Sequence, residues 1–500
     1  MSGDAWDAIE AYAAKPLHDL FETNNERVAE LSFECGGITF DFSKTHIDAN
    51  LLRQFVRFAE AQGFEAAREA LFAGQSVNST EGRPAEHVAE RGNGAPDAVE
   101  LASIRRARTR ALVDAIEGGA FGEITGVLHI GIGGSVLGPA LLVDALGRNN
   151  ARLEVRYLSN IDGQAFDEAV DMLDPSETLV VVASKTFTTA ETMANMSAAL
   201  EWLREAGVDD PFGRVIAVTA KPEAAVAAGV DETRILQFSE GVGGRYSLWS
   251  AVGVSAALGL GWSAFEELLE GAAEMDRHFR YTEPDRNLPL IAAFVDRLYV
   301  RKFDCQTRGV FAYDERLRLV PFYLQQLEME SNGKSVRVDG TPVDGPSAPV
   351  TWGGTGTDAQ HAVFQLLHQG TVFVPVEFLA VTEAEDSQPP EHHHQLLLNA
   401  FAQGAALMAG RKSNNDPHRN YPGNRPSTTI LLDRLDARSL GALLAFYEHR
   451  TFANAALMGI NPFDQFGVEL GKEMALKLDD SGDDESFDSS TRALIERAGL

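Results

Sequence analysis

The stretch TLVVVASKTFTT, Thr178 to Thr189, decides the fold: a run of apolar and β-branched residues ends abruptly in hydroxyls and one lysine. A segment that is apolar on both faces reads as a strand covered on both faces, the situation of a parallel sheet between helices. Outward from it, the apolar run Gly126–Ile130 and the segments VRYLSN (155–160) and RVIAVTA (214–220) repeat the pattern, bounded by turn formers and alternating with helical stretches. Such alternation predicts a mainly parallel α/β layer. A second layer is predicted beyond the helix-like stretch around 262–300, with RGVFAY (308–313) and GTVFVPVEFLA (370–380) as strands, so two lobes are expected. The chain opens with helical segments, including Leu51–Gln62 and Gly63–Gly74, and the polar run SVNSTEGRPAEHVAERGNGAP (76–96) reads as a boundary. The acidic run LDDSGDDESFDSS (478–490) reads as a solvated hinge before a short helix, Thr491–Ala498.

Composition narrows the partners. Five hundred residues, 44% of them hydrophobic, can bury a large core and divide into more than one domain. Lys and Arg number 43 against 73 Asp and Glu, a formal charge of −30 that repels nucleic acid and anionic lipid at long range. An anionic substrate would therefore need local capture by hydroxyls, amides and a few cations. Cys35 and Cys305 are too few and too far apart for a disulfide framework and suit a reducing cytoplasm. The opening MSGDAWDAIEAYAAKPLHDLF has no basic n-region and no signal-type apolar run, so a cytoplasmic location is expected. The window Ile124–Gly147 is nearly uncharged, but its glycines, Pro139 and Asp144 favour a buried strand, turn and helix over a membrane span.

Two places could hold a phosphate. In VLHIGIGGSVLGPALLVDAL (127–146) a strand leads through a glycine turn into a helix, a geometry that offers amides to an anion. It is not a dinucleotide fingerprint, since Val136 stands where the third glycine would be, nor a Walker loop. Ser135 adds a hydroxyl there. The second place is the end of the Thr178 strand, where Ser184, Lys185, Thr186, Thr188 and Thr189 crowd the carboxyl edge at which parallel sheets bind ligands. The same cluster also suits the N-cap of a following helix.

Acid–base candidates lie elsewhere. Moving a carbonyl between adjacent carbons needs one base that removes a proton and returns it next door, and the segment 325–334, QQLEMESNGK, offers Glu328 and Glu330 beside apolar neighbours. Opening a cyclic sugar needs a further acid and base, for which His361 and Lys472 are available. Arg245 follows Gly243 and Gly244 and could stabilise developing negative charge; an ion pair at a lobe surface is its plainer use. The run His392–His394 cannot converge on one ion from a helix.

Taken in order, GIGGSVLGP (131–139), SKTFTTAET (184–192), GGRYSLWSAVG (243–253), MESNGKS (329–335), QHAVFQLLHQGT (360–371), GNRPSTTI (423–430) and FDQFGVELGKE (463–473) closely resemble the glucose-6-phosphate isomerase family over most of the chain. The resemblance implies two sugar-isomerase-type lobes, each a mainly parallel sheet flanked by helices, with a C-terminal arm. The corresponding division is an N-terminal helical segment packing on the large lobe (1–95), a small lobe (96–262), a large lobe (263–465) and the arm (466–500). It implies interconversion of glucose 6-phosphate and fructose 6-phosphate by ring opening and a cis-enediol, without metal or cofactor. Carried onto matching positions, it makes Glu330 the proton shuttle between C1 and C2, Arg245 the enediolate stabiliser, His361 the ring-opening residue and Lys472 its aid at the ring oxygen. Ser184, Lys185, Thr186 and Thr189 would hold the phosphate; Gly134, Ser135, Gly244, Gln326 and Gln465 would line the sugar pocket. A homodimer with shared sites is implied, His361 coming from the partner and Glu191 orienting it. After Asn78–Arg83 the chain departs from the family pattern, with Pro84, Ala85, Glu86 and His87 where apolar residues and a Leu-His pair are usual. The alternatives are a non-catalytic sugar-phosphate-binding regulator, against which the presence of Glu330, Arg245, His361 and Lys472 together argues, and an isomerase that also accepts mannose 6-phosphate.

Overall fold

A computed structural model describes residues 2–148, 150–481 and 487–499. The first two strands, β1 (Ser32–Cys35) and β2 (Ile38–Asp41), form a hairpin. The next five, β3 (Gly126–Ile130), β4 (Glu154–Leu158), β5 (Thr178–Ala183), β6 (Val215–Thr219) and β7 (Ile235–Gln237), make a parallel sheet in the order β4-β3-β5-β6-β7. The last four are β8 (Thr307–Tyr313), β9 (Val350–Thr355), β10 (Val376–Val381) and β11 (Ser427–Leu432). With the hairpin they form a sheet ordered β1-β2-β11-β10-β8-β9, in which only the hairpin's own pairing and β2 against β11 are antiparallel. The expected α/β class, with mainly parallel sheets flanked by helices, is therefore what the chain adopts.

Burial explains the pattern. Every residue of β3, β5, β6 and β10 is buried, as predominantly apolar runs covered by helices require. In the smaller sheet the chain steps from β3 to β4 on one side and then to β5 on the other, so the strand order reverses between β3 and β5. Ligands settle at the carboxyl ends of strands at such a switch point. Both phosphate candidates leave the sheet there.

Several elements depart from the sequence reading. GTVFVPVEFLA becomes a strand only from Val376, because Pro375 has no N–H for the ladder and its carbonyl instead accepts from Gly309 N at 3.0 Å. The N-terminal segment carries the β1–β2 hairpin besides its helices Ala49–Ala61 and Phe64–Phe72. Within the polar run 76–96, Asn78, Ala85 and His87–Arg91 are buried. The unusual Pro84–His87 segment packs on the loop before Arg245, with Ser239 Oγ donating to Glu86 Oε2, Glu86 N donating to Gly241 O at 3.0 Å and the His87 ring 4.8 Å from that of Tyr246. The window 124–147 folds as β3, a glycine turn and the helix Leu137–Leu146, and no described helix is long and apolar enough to cross a membrane.

Burial pushes the Glu90 carboxyl up to about 7, against the pull of Arg105 and Arg106. The folded chain then keeps a proton that the unfolded chain releases near 4.5, so stability contributed at low pH is lost as pH rises from 4.5 through about 7. Glu90→Gln is expected to flatten this decline, measured as melting midpoints at about pH 5 and about pH 8.

The helix Ala437–Met458, buried along almost its whole length, runs through the body of the molecule. Its charged residues are paired. Glu448 accepts from Arg91 Nη1 at 2.5 Å and Trp249 Nε1 at 2.8 Å, and His449 lies 2.7 Å from Asp276. Arg450 bonds Asp296 through two nitrogens and Glu377 through a third. The chain divides into two compact units, Met1–Pro462 and Phe463–Leu500. The second contains the helices Glu469–Ser481 and Ser489–Ala498; of the acidic hinge expected at 478–490, residues 482–486 lie outside the described residues.

Candidate active site

The glycine turn after β3 is shaped by contact rather than by flexibility alone. A Cβ on Gly134 would lie 2.1 Å from the Gly244 carbonyl oxygen and 2.5 Å from Arg245 N, so only glycine lets these two backbones meet. Gly133 has φ +56°, and a Cβ there would lie 2.7 Å from Gln326 Nε2. Beneath the turn, His129 of β3 bonds Ser255 Oγ at 2.7 Å and the Ser135 carbonyl at 2.9 Å. Burial pushes its imidazole down to about 4, so it is a neutral strut at physiological pH. Sequence reasoning missed it, since a lone histidine in an apolar strand carries no signal of its own.

The loop after β5 abuts this turn: a Cβ on Gly131 would meet the Ala183 carbonyl at 3.0 Å. Within it, Ser184 Oγ lies 3.1 Å from Thr189 Oγ1 and accepts from Phe187 N at 3.1 Å, while Thr188 Oγ1 donates to Thr186 Oγ1 at 2.9 Å. Phe187 holds φ +55°, a left-handed conformation that costs a bulky residue of order 1–3 kcal/mol. Its ring is sunk in the core of the smaller sheet beside Val182, Met196 and Ala217, which fixes the turn and leaves Thr186 and Thr188 exposed. Among the described residues, the N–H groups of Lys185, Thr186 and Thr188 meet no protein acceptor, so the loop presents amides and hydroxyls together. The Lys185 amine, pushed down to about 8 by burial, donates to Glu240 O at 2.7 Å and Val242 O at 2.9 Å. Glu191 lies in the first turn of the helix Ala190–Glu205 that follows.

The acid–base segment sits on a π-helical turn, Gln325–Glu330, a local widening often found at functional sites. The turn separates the two carboxylates. Glu328 is buried and held by Arg308 Nη2 at 2.7 and 2.8 Å and by Thr351 Oγ1 at 2.7 Å. Glu330 keeps 22% of its side chain exposed, accepts from Gln326 Nε2 at 3.1 Å and lies 3.2 Å from Arg245 Nη1. Glu328 is thus engaged in a buried ion pair, whereas Glu330 is partly exposed beside Arg245. Arg245 is 2% exposed; it also donates to Ser331 Oγ at 2.6 Å and to Pro462 O at 2.5 Å, and Tyr246 OH lies 3.0 Å from Ser331 Oγ. Lys334 Nζ caps the turn on Glu330 O at 2.6 Å. Ser331 and Tyr246 belong to the quoted motifs, yet nothing in a linear string tells which hydroxyl reaches the arginine.

Gly133, Gln326, Glu330, Arg245, Gly244 and Gly134 therefore close a ring, with the hydroxyl loop beside it. His361, on the helix Gly356–Ala362 after β9, is exposed and, among the described residues, has no hydrogen-bond partner. Gln465 and Lys472 belong to the second unit, Gln465 ahead of the turn Phe466–Val468 and Lys472 exposed near the start of the helix Glu469–Ser481.

A hydroxyl- and amide-rich loop at a switch point, joined to a carboxylate–guanidinium pair, belongs to an α/β protein of the class whose ligand sites lie at the carboxyl ends of parallel strands. Residues 41–495 match the family model Phosphoglucose isomerase. Over 494 residues the chain is 64% identical to the glucose-6-phosphate isomerase of Rhizorhabdus wittichii, covering 99% of this chain and 98% of the relative. It is 58% identical over 494 residues to that of Zymomonas mobilis, covering 99% and 97%. The crystal structure of a glucose-6-phosphate isomerase from Chlamydia trachomatis superposes with a TM-score of 0.88 at 30% identity, covering 99% of this chain and 98% of that one. The chain belongs to the phosphoglucose isomerase family.

Proposed function

We propose that the protein interconverts glucose 6-phosphate and fructose 6-phosphate through a cis-enediol, a step shared by glycolysis and gluconeogenesis. The observation that carries this reading is Glu330, partly open and held between Gln326 and Arg245. Its carboxylate takes the proton from C2 of the open-chain aldose; the electron pair moves into a C1–C2 double bond as negative charge gathers on the former carbonyl oxygen. Arg245 faces that charge in a site where little water competes with it. The O2 hydroxyl proton passes to O1, and Glu330 then returns the carbon-bound proton to C1 as the carbonyl forms at C2, so that the carboxylate ends as it began.

Ser184, Thr186 and Thr189 hold the phosphate with the main-chain N–H of Lys185, and Ser135, Gly134, Gly244, Gln326 and Gln465 line the sugar. His361, donated by the partner subunit and oriented by Glu191, opens the ring with Lys472 at its oxygen. This dimer reading is supported by the lone, exposed His361 and by the helix Pro390–Ala409, whose Leu398 and Phe401 are 47% and 44% exposed. The organisation into segments 1–95, 96–262, 263–465 and 466–500 and a cytoplasmic location belong to the same reading.

The phosphate assignment predicts that Ser184→Ala and Thr186→Ala each raise KM about tenfold or more, since a hydrogen bond to a charged group contributes about 1.5–3 kcal/mol. Steady-state assays with fructose 6-phosphate measure it, and an unchanged KM in both variants would move the phosphate to another loop.

A further inference from the structure

Lys185 stands in the anion loop, yet two of its three ammonium protons go to the carbonyls of Glu240 and Val242, at 2.7 and 2.9 Å. Those carbonyls belong to the segment that runs directly into Gly243, Gly244 and Arg245. The main chain of Lys185 is fixed as firmly: its carbonyl accepts from Ala220 N and Thr219 Oγ1, each at 3.1 Å, at the end of β6. The 240 segment has a second tether, since Lys221 donates to the Glu240 carboxylate. One residue thus offers its N–H toward the anion loop while its amine grips the strand of chain that delivers the arginine.

We propose that Lys185 is a positioning residue that couples occupancy of the loop 184–189 to the placement of Arg245, and that its amine is not a phosphate ligand. The proposal rests on the isomerase reading above, in which the loop takes the phosphate and Arg245 the developing charge. An anion drawn to the N–H groups of Lys185 and Thr186 pulls on the Lys185 main chain. Through the side chain that pull reaches Glu240 and Val242, and so the Gly134–Gly244 contact against which Arg245 is set. Filling the loop would then settle the guanidinium opposite Glu330 at the moment chemistry requires it. A ligand lacking the phosphate would not draw on this tether, and the arginine would then be placed by its contacts with Glu330, Ser331 and Pro462 alone.

The test compares Lys185→Met with Lys185→Arg and Ser184→Ala, using inorganic phosphate as a competitive probe. Lys185→Met is expected to lower kcat about tenfold or more, as misplacement of a catalytic group by a fraction of an ångström does, while the inhibition constant of phosphate changes less than about threefold. Lys185→Arg, whose guanidinium can donate to both carbonyls, is expected to recover most of kcat. In hydrogen exchange, phosphate should protect residues 239–246 of the native chain and fail to protect them in Lys185→Met. A phosphate inhibition constant raised about tenfold or more with kcat retained would make the amine a ligand and overturn the proposal; so would a variant unchanged in kcat and exchange. Ser184→Ala separates the two readings, because phosphate inhibition unaffected by it would remove the anion from the loop irrespective of Lys185. If Lys185→Met does not fold, Lys185→Gln, which keeps a donor for one carbonyl, carries the same comparison.

Discussion

Replacing Glu330 by Gln is expected to lower kcat by about a thousandfold or more, the scale on which a positioned general base contributes. Glutamine preserves the shape and the contact with Gln326, and 22% of the native side chain is exposed, so the folded state should persist and the loss should be chemical. Solvent deuterium incorporation into the sugar is the sharper readout. A base that shuttles the proton exchanges it with water, and exchange at the native rate in Glu330→Gln would take the residue out of the mechanism. Mixed dimers extend the test. If His361 crosses from the partner, a dimer of Glu330→Gln and His361→Ala subunits contains one site with both groups intact, and activity reappears on subunit exchange. If each subunit supplies both groups to its own site, the mixture stays as inactive as its parents.

Arg308→Met is expected to destabilise the chain by about 3–5 kcal/mol, because it strands buried carboxylates without their partner. Arg308 bonds Glu328 and lies 3.5 Å from Asp296; Arg450 spans Asp296 and Glu377, and Tyr447 OH donates to Glu377 Oε1 at 2.6 Å. Burial alone would raise the Asp296 and Glu377 carboxyls, but Arg450 and Arg308 hold both below their usual range. The network reaches the site as well: Glu328 and Glu330 share one π-helical turn, so releasing the first should let the second wander and lower kcat beyond what partial unfolding explains. Urea titration gives the stability, and kcat per folded molecule gives the remainder. A stability loss below about 1 kcal/mol would show that water or a neighbouring cation replaces the arginine.

Much of this was legible in the sequence where local pattern and burial agree. Gly126–Ile130 and Thr178–Val182 read as strands because they are apolar on both faces, and the hydroxyl-rich strand end is visible in the sequence as a candidate anion loop. Legibility stopped where a residue's meaning depends on a distant partner. β7 has three residues, and β9 contains Gly353 and Gly354, so neither carries a strand's usual signature. Glu328 and Glu330 look alike until Arg308 claims one and Arg245 the other. Lys185 reads as a phosphate ligand from its position in the loop; in the folded chain its amine bonds two carbonyls. Arg91 sits in the polar run read as a boundary, and only the fold brings it to the buried meeting point of Asp276 and Glu448.

The hairpin β1–β2 finds its place only against β11, with Asp41 opposite Thr429 and Ile38 opposite Leu432. During synthesis the hairpin leaves the ribosome about 390 residues before its neighbour exists, which at about 5–20 residues per second is a wait of roughly 20–80 s. The smaller sheet lies wholly within that interval and can complete itself, whereas the larger one must hold an open edge until β11 arrives. Nascent chains of this protein should therefore be most vulnerable to mispairing and most dependent on chaperones late in translation, and a truncation ending before β11 should leave the small sheet formed beside an unfinished large one.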